Sequence, residues 1–420
     1  MSTLESLGDA SRRIGSRAVK AVGIVREGGT RALAQRVVRL AYHRLDAGML
    51  AEPLLADDIA DSTRLDLRVP AQRPRRPGPL TIGWVLTPPS AGSGGHTTLF
   101  RMVEAVESAG HRCVLFLYDR YGGQVREHER VIREWWPGMR ARVADAREGI
   151  TGVDAAVASS WDTAHVLARR GTEPMRRLYF IQDFEPYFYA RGSMYALAED
   201  TYRFGFRTIA LGDMVGDLLR SEVGLEPDVV EFGCDTSVYR VLPGAERTGV
   251  VLYARPGVPR RGFWLARLAL DQFHARHPDV DIHLYGAEVG GLAFPATQHG
   301  RLTPEQLNEL YNSCVAGIAM SFTNISLVAE EMLAAGVVPV VNDSVHSRAD
   351  LRNGQVAWAP PTPGGIADAL SAVVSRPDRA GLAAAASASV RPFGWTRTAA
   401  DVVDLIEDEV FGASDAPGGA

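Results

Sequence analysis

The chain has 420 residues and a formal net charge of -5, with 46% hydrophobic and 23% charged residues. This is ordinary globular composition, long enough for about two or three cores. The mild acidity gives no global reason to expect nucleic acid as a partner. Cys113, Cys234 and Cys314 are far apart and form no CxxC, which excludes a disulfide framework and a zinc site and fits a reducing compartment. Lys20 is the only lysine, so no catalytic lysine can come from the main body of the chain. No uninterrupted stretch of about 18 apolar residues occurs, and the N-terminus lacks a signal-peptide core. The expectation is a soluble cytoplasmic protein, at most peripheral at the inner face of a membrane.

Residues 1–50 are rich in arginine, and from Thr30 the apolar Leu33, Val37, Leu40 and Ala41 recur at helical spacing. This predicts a basic amphipathic helix, able either to pack on the body or to touch an anionic membrane surface. VPAQRPRRPGPL (69–80) is too rich in proline for helix or sheet and reads as a linker or strap. TIGWVL (81–86) is a strand, followed by the loop TPPSAGSGG (87–95) and a helix from about His96. Gly92, Gly94 and Gly95 permit close approach of the backbone to a ligand, although the pattern is not GxGxxG.

Strands and helices then alternate. RCVLFLY (112–118), VDAAVASS (153–160), RLYFIQD (177–183), TIALGD (208–213) and DVVEFG (228–233) are apolar strands, and WDTAHVLARR (161–170) is a helix. A second run begins at VVLYARP (250–256), whose loop holds Arg255, Arg260 and Arg261 before a helix over 262–276. IHLYG (282–286) is a strand, 299–314 a turn and helix capped by Thr303, and VAGIAMS (315–321) another strand. Helices near 364–375 and over 396–411 complete the pattern. Alternation at this spacing predicts mostly parallel, doubly wound sheets with helices on both faces.

The stretch SFTNISLVAEEMLAAG (321–336) ties these parts together: a small-residue loop after a strand opens into a short helix carrying Glu330 and Glu331. A helix N-terminus suits a diphosphate, and carboxylates can accept hydrogen bonds from sugar hydroxyls. With Arg255 and Arg261 on one wall of a cleft and the glycine loop on the other, the residues suggest a nucleotide sugar. No metal is required, because arginines and backbone N–H groups can absorb the charge of a departing diphosphate. Asp279 and Asp281 stand at the start of a strand, the wrong end for a ligand site, and read as a solvated turn. His96 either contacts phosphate or acceptor, or simply begins its helix; His299, before Gly300, either belongs to a loop that holds a base or is structural.

On these motifs the sequence resembles the GT-B glycosyltransferases of retaining family four. Arg255 and Arg261–Gly262 resemble that family's diphosphate pair, with Arg261 in place of Lys, and HGRL (299–302) resembles its base loop. Glu331, Ala335 and Gly336 match the second half of its Glu-x7-Glu signature, whereas the first Glu falls on Thr323. GGHTTLFRMVEAVESAGH (94–111), SSWDTAHVLARR (159–170) and YFIQDFEPYFYARGSMYALAEDTYRFGF (179–206) resemble the WsaF-type rhamnosyltransferases, which use dTDP-rhamnose. The resemblance implies Arg255, Arg261 and Glu331 as catalytic residues. It implies donor contacts from Gly94, Gly95, Gly300, Leu302, Thr323, Asn324, Ser326, Leu327 and Glu330, with His96, Asp183 and Glu185 on the acceptor or sugar side.

The implied organisation is a basic helical extension and Pro/Arg-rich linker at 1–78 and an acceptor-side Rossmann-like domain at 79–245. A nucleotide-sugar-binding domain follows at 246–390, then a helix at 391–412 crossing back to the first domain, and a tail at 413–420. The implied activity is retaining transfer of rhamnose to a cell-surface glycan or lipid-linked acceptor, with no cofactor beyond the donor substrate. Thr323 leaves open a catalytically silent GT-B scaffold subunit, and the fold, which such enzymes can share, leaves open a nucleotide-sugar epimerase.

Overall fold

The computed structural model describes residue 37, residues 52–74, 78–325, 327–390 and 394–412. Apart from Val37, the basic segment expected as an amphipathic helix lies outside the described residues, as do Ser326 and the tail 413–420. The chain divides into two compact units, Met1–Asp57 and Asp58–Ala420. The larger unit, from Asp58 onward, carries both sheets.

Its first half holds seven strands, β1 (Thr81–Leu86), β2 (Arg112–Leu117), β3 (Arg142–Asp145), β4 (Ala155–Ala158), β5 (Arg176–Ile181), β6 (Arg207–Leu211) and β7 (Asp228–Val230). Between them run the helices α1 (Gly94–Ser108), α2 (Val125–Trp135), α3 (Trp161–Arg170), α4 (Ser193–Asp200) and α5 (Asp213–Leu218). The sheet order is β3-β2-β1-β4-β5-β6-β7, parallel throughout. The second half holds β8 (Gly249–Ala254), β9 (Ile282–Gly286), β10 (Thr297–Gln298), β11 (Cys314–Ile318), β12 (Val338–Asn342) and β13 (Ala357–Ala359) in the order β10-β9-β8-β11-β12-β13, again parallel. Its helices are α6 (Phe263–Arg276), α7 (Pro304–Ser313), α8 (Val328–Ala334), α9 (Val345–Asp350), α10 (Pro363–Val374) and α11 (Arg379–Ala388). The last helix is α12 (Trp395–Phe411).

Helices cover both faces of each sheet, so the central strands are apolar along their whole length and do not alternate. All four residues of β4 are buried, as are the last five of β5. In each sheet the winding reverses once, between β1 and β4 and between β8 and β11. A doubly wound sheet opens a crevice at this point, beyond the carboxyl ends of the strands. The glycine loop follows β1, the Arg255–Arg261 loop follows β8, and the stretch from Ser321 follows β11, so all three emerge at crevices.

The helix α12 does not pack on the second sheet. Trp395, Ala399, Val402, Val403, Ile406 and Val410 form an apolar stripe that joins the core of the first half and packs on α1. Burial of each larger side chain contributes roughly 1.5–3 kcal/mol. The segment from Asp58 to Arg73, which runs into the Pro/Arg-rich stretch, is in part a strap. Asp58 accepts from the Tyr118 hydroxyl at 2.8 Å and pairs with Arg170, Ser62 bonds Asp200 at 2.6 Å, and the Arg73 guanidinium donates to the Glu409 carbonyl at 3.0 Å.

Candidate active site

Residues just past the carboxyl ends of the strands meet across a cleft between the halves. The centre of the contact is Asp183, two residues beyond β5 and 6% exposed. Its Oδ2 accepts from the Thr323 hydroxyl at 2.8 Å, and its Oδ1 accepts from the Asn324 backbone N–H at 3.2 Å. Arg260 Nε approaches the same carboxylate at 3.4 Å. Gln182 adds a bridge: its backbone carbonyl accepts from Asn324 Nδ2 at 2.7 Å, while its side-chain amide donates to the Gly95 carbonyl at 3.2 Å. The loop after β11 is thereby connected to the first turn of α1.

The loop itself is pinned by Asn342 at the end of β12, whose side chain accepts from the Ser321 N–H at 2.9 Å and donates to the Ser321 carbonyl at 2.7 Å. Arg261 reaches under it and donates to Ser321 Oγ at 3.0 Å and to the Asn324 carbonyl at 2.9 Å. Burial, and then the neighbouring Arg260, depress the Arg261 guanidinium to about 10, so it remains charged at neutral pH. Among the described residues no carboxylate lies within ion-pairing distance of it. Asp183 offsets part of the desolvation from beyond ion-pairing distance, and an anion bound beside the guanidinium would complete the compensation. Gly262 places Arg261 there: it has φ 63°, and a Cβ at that position would come within 3.0 Å of the Phe322 ring and 2.8 Å of Met320. Arg255 is exposed and donates to the Tyr253 hydroxyl at 2.9 Å.

Gly94 and Gly95 open α1; they are not part of the preceding loop, so the helix starts two residues earlier than expected. Their N–H groups begin a helix of 15 residues, against seven in α8, which makes α1 the stronger helix N-terminus in the cleft. Both ring nitrogens of His96 are engaged within the chain. Its Nε2 bonds the Thr87 carbonyl at 3.1 Å and its Nδ1 bonds Ser93 Oγ at 2.9 Å, and burial lowers its pKa, so the neutral ring staples the glycine loop. Glu185 turns into the first half. Its carboxylate accepts from the Tyr179 hydroxyl at 2.7 Å and from the Trp161 N–H, and burial raises it to about 8. The side chain is turned away from the cleft and holds the start of α3 from inside the first half. His299 pairs with His283 at 3.1 Å, and the Gly300 carbonyl accepts from the Gly286 N–H at 2.7 Å, closing the loop that ends at the half-buried Leu302.

Glu331 lies at the other end of the cleft. Burial raises its carboxyl to about 7, with Asp235 adding to the rise and Arg101 opposing it. Arg101, on α1, makes a bidentate pair with Asp235 in the segment joining the halves, one arm at 3.0 Å. The Arg101 guanidinium also lies 5.3 Å from the Trp395 ring at the start of α12. Leu327 packs against the core of the first half, and Glu330 adds its charge to that around Glu331. Asp279 and Asp281 are exposed at the amino end of β9, and among the described residues no cluster of three or more His, Cys, Asp or Glu is placed to hold a metal ion.

The model of the C-terminal domain of WsaF matches residues 248–371, and that of its N-terminal domain matches 149–214. Over 296 residues the chain is 31% identical to the O-antigen biosynthesis protein RfbC of Myxococcus xanthus, covering 67% of this chain and 23% of that protein. The fold matches Anabaena Alr3699/HepE, solved in complex with UDP and glucose, at TM-score 0.60 and 15% identity over 78% of this chain and 99% of that one. It also matches a Rickettsia africae glycosyltransferase at TM-score 0.55 and 11% identity (80% and 100% covered) and a Listeria monocytogenes putative UDP-N-acetylglucosamine 2-epimerase at TM-score 0.54 and 11% identity (79% and 96%). The chain thus carries matches to both WsaF domains, and its two-sheet fold is that of the GT-B structures it resembles.

The two WsaF matches hold Asp183 and Glu185 on one side and Arg255, Arg261, Thr323 and Glu331 on the other, while Gly94, Gly95 and His96 precede both. The chain spans about a quarter of the length of the curated relative, at 23%. Among the described residues no helix is long and apolar enough to cross a membrane. Arg101, Asp235 and Asn342 tie the candidate site together, and sequence reasoning did not single them out. The only local signal is an arginine on the helix that follows the glycine loop; its partner lies 134 residues away.

Proposed function

We propose that this protein transfers a sugar, rhamnose from dTDP-rhamnose, with retention onto a growing cell-surface glycan or lipid-linked acceptor, as part of O-antigen or related polysaccharide synthesis. The observation that carries the reading is Arg261, a half-buried guanidinium with no carboxylate in direct contact among the described residues, held by Ser321 and Asn324. A diphosphate bound there receives charge from Arg261 and Arg255 and dipole from the α1 N-terminus. As the anomeric carbon–oxygen bond breaks, these groups hold the negative charge on the departing diphosphate. The acceptor hydroxyl oxygen bonds to the anomeric carbon, and its proton leaves with the diphosphate oxygen. Asp183 supplies the carboxylate that faces the positive charge developing on the sugar ring, at the place where Thr323 brings none. Glu331 accepts from the nucleotide ribose. The arginines do the work of a divalent cation.

The epimerase reading predicts product from donor alone, and the scaffold reading predicts no turnover. Incubation of the protein with dTDP-rhamnose and an extract of lipid-linked acceptors, followed by mass spectrometry, separates them. Addition of a single deoxyhexose to the acceptor supports transfer, and a changed donor without acceptor overturns it. We further propose that the protein works at the cytoplasmic face of the membrane, with residues 1–50 touching anionic lipid. Unchanged liposome binding after deletion of 1–50 removes that contact.

A further inference from the structure

Beside the donor cleft lies a second cavity of about 400 Å³, walled by Tyr187 and Phe188 from the first half and by Pro259, Arg260, Phe322 and Thr323 from the second. Its lining differs in kind from the Arg261 site. Phe322 is 45% exposed, a large apolar ring held at the surface of a loop whose neighbours Ser321 and Thr323 are buried. Tyr187 is fixed by an edge contact with Phe184, ring centroids 4.9 Å apart, and Phe188 lies under the Arg260 guanidinium at 4.2 Å. The cation in the wall, Arg260, is therefore already stacked, and its charge is balanced by Asp183 at 3.4 Å. Among the described residues of this wall, no uncompensated charge remains to bind a phosphate or a carboxylate.

A pocket with rigid aromatic faces on both walls and a few fixed polar groups suits a neutral ring whose C–H faces pack on aromatics and whose hydroxyls reach the rim. Thr323 lines this cavity and bonds Asp183, so the pocket is continuous with the position where the donor sugar reacts. We infer that this cavity is the acceptor subsite and that it takes the terminal, uncharged sugar ring of a glycan between Tyr187 and Phe322. The inference rests on the transferase reading. The anionic lipid carrier of such an acceptor would lie outside the pocket.

The test uses saturation-transfer NMR on the full chain with dTDP present. The probes are methyl α-L-rhamnoside, methyl α-D-glucoside, methyl α-D-galactoside and methyl N-acetyl-α-D-glucosaminide. At least one glycoside is expected to receive saturation on its ring C–H protons, and Phe322→Ala and Tyr187→Ala are each expected to weaken it roughly three- to tenfold. Calorimetric affinity for dTDP-rhamnose should be unchanged in both variants. Phe322 is on the surface, so its variant folds even if Tyr187→Ala does not. Absence of saturation with every glycoside, or its full persistence in Phe322→Ala, overturns the inference. A tenfold loss of donor affinity in Phe322→Ala also overturns it, by assigning the pocket to the donor. Failure of the wild type to bind dTDP-rhamnose while glycosides still bind would instead count against the donor assignment and leave a saccharide pocket.

Discussion

The Thr323 hydroxyl donates to the Asp183 carboxylate at 2.8 Å, joining the loop after β11 to the end of β5 across the cleft. At the position where the retaining family it resembles carries a glutamate, this chain carries a neutral side chain, and the opposite half brings a carboxylate to it. The motive for a silent scaffold is weaker once Asp183 stands there.

Asp183→Asn keeps the shape and removes the charge, and transfer is expected to fall by roughly 10²–10³. Thr323→Glu should not restore a family-like site. It places a second buried carboxylate against Asp183, and both activity and melting temperature are expected to drop. Steady-state assays and thermal melts on the two variants check this; a gain of activity in Thr323→Glu contradicts it.

Removing Arg261 should act on binding and stability in opposite directions. The guanidinium is desolvated with no carboxylate in direct contact among the described residues, only the more distant charge of Asp183, so Arg261→Met relieves that burden while discarding the diphosphate contact. Donor affinity is expected to fall at least about tenfold, the scale of a lost charge-assisted contact, with the melting temperature unchanged or higher. Calorimetry and a melt on the same sample read both.

Glu331 makes donor binding depend on pH. Burial raises its carboxyl to about 7, so the ionised form that accepts from ribose hydroxyls accumulates only as pH rises through that value. Donor affinity should climb between about pH 6 and 8. Loss of Arg101 (Arg101→Met) removes the opposing charge and moves the midpoint up, whereas Asp235→Asn moves it down. The stability linkage has the opposite slope. A carboxyl raised from 4.5 to about 7 contributes stability that is complete below pH 4.5 and lost as pH rises through 7, so Glu331→Gln should stabilise the protein at pH 8 and little at pH 5. Calorimetric titrations and melts across pH measure the two slopes.

Much of the fold is legible because buried parallel strands are apolar throughout. RLYFIQD and VVPVV stand out from their surroundings, as does the stripe Trp395, Ala399, Val402, Ile406 that carries α12 to the first half. The elements that went unseen carry weak signals. VREHERVIREW forms α2 with only Ile132 buried, RVAD is the edge strand β3, and RAGLAAAASA owes α11 to propensity more than to pattern. In the site, spacing placed Arg255 and Arg261 on a loop and Glu331 on a short helix at the crevices. It could not tell that Asp183 points across the cleft while Glu185, two residues on, turns inward to Tyr179. That choice is made by the 3-10 turn Glu185–Phe188 and by side chains distant in sequence.

If the arginines replace a divalent cation, transfer should be unaffected by excess EDTA and unresponsive to added magnesium or manganese. A rate that collapses in EDTA and returns with metal would show that the charge balance assigned to Arg255 and Arg261 is wrong.

Every step of the proposed transfer depends on Arg261 and the start of α1 holding the diphosphate of a nucleotide sugar, with dTDP-rhamnose as the donor. Isothermal calorimetry of the full chain with dTDP-rhamnose, UDP-glucose and GDP-mannose, repeated on Arg261→Met, reads that contact without intermediaries. Binding of dTDP-rhamnose in preference to the other two, and its loss in Arg261→Met, is the expected result. Binding of none of the three, or binding that Arg261→Met leaves untouched, would contradict it.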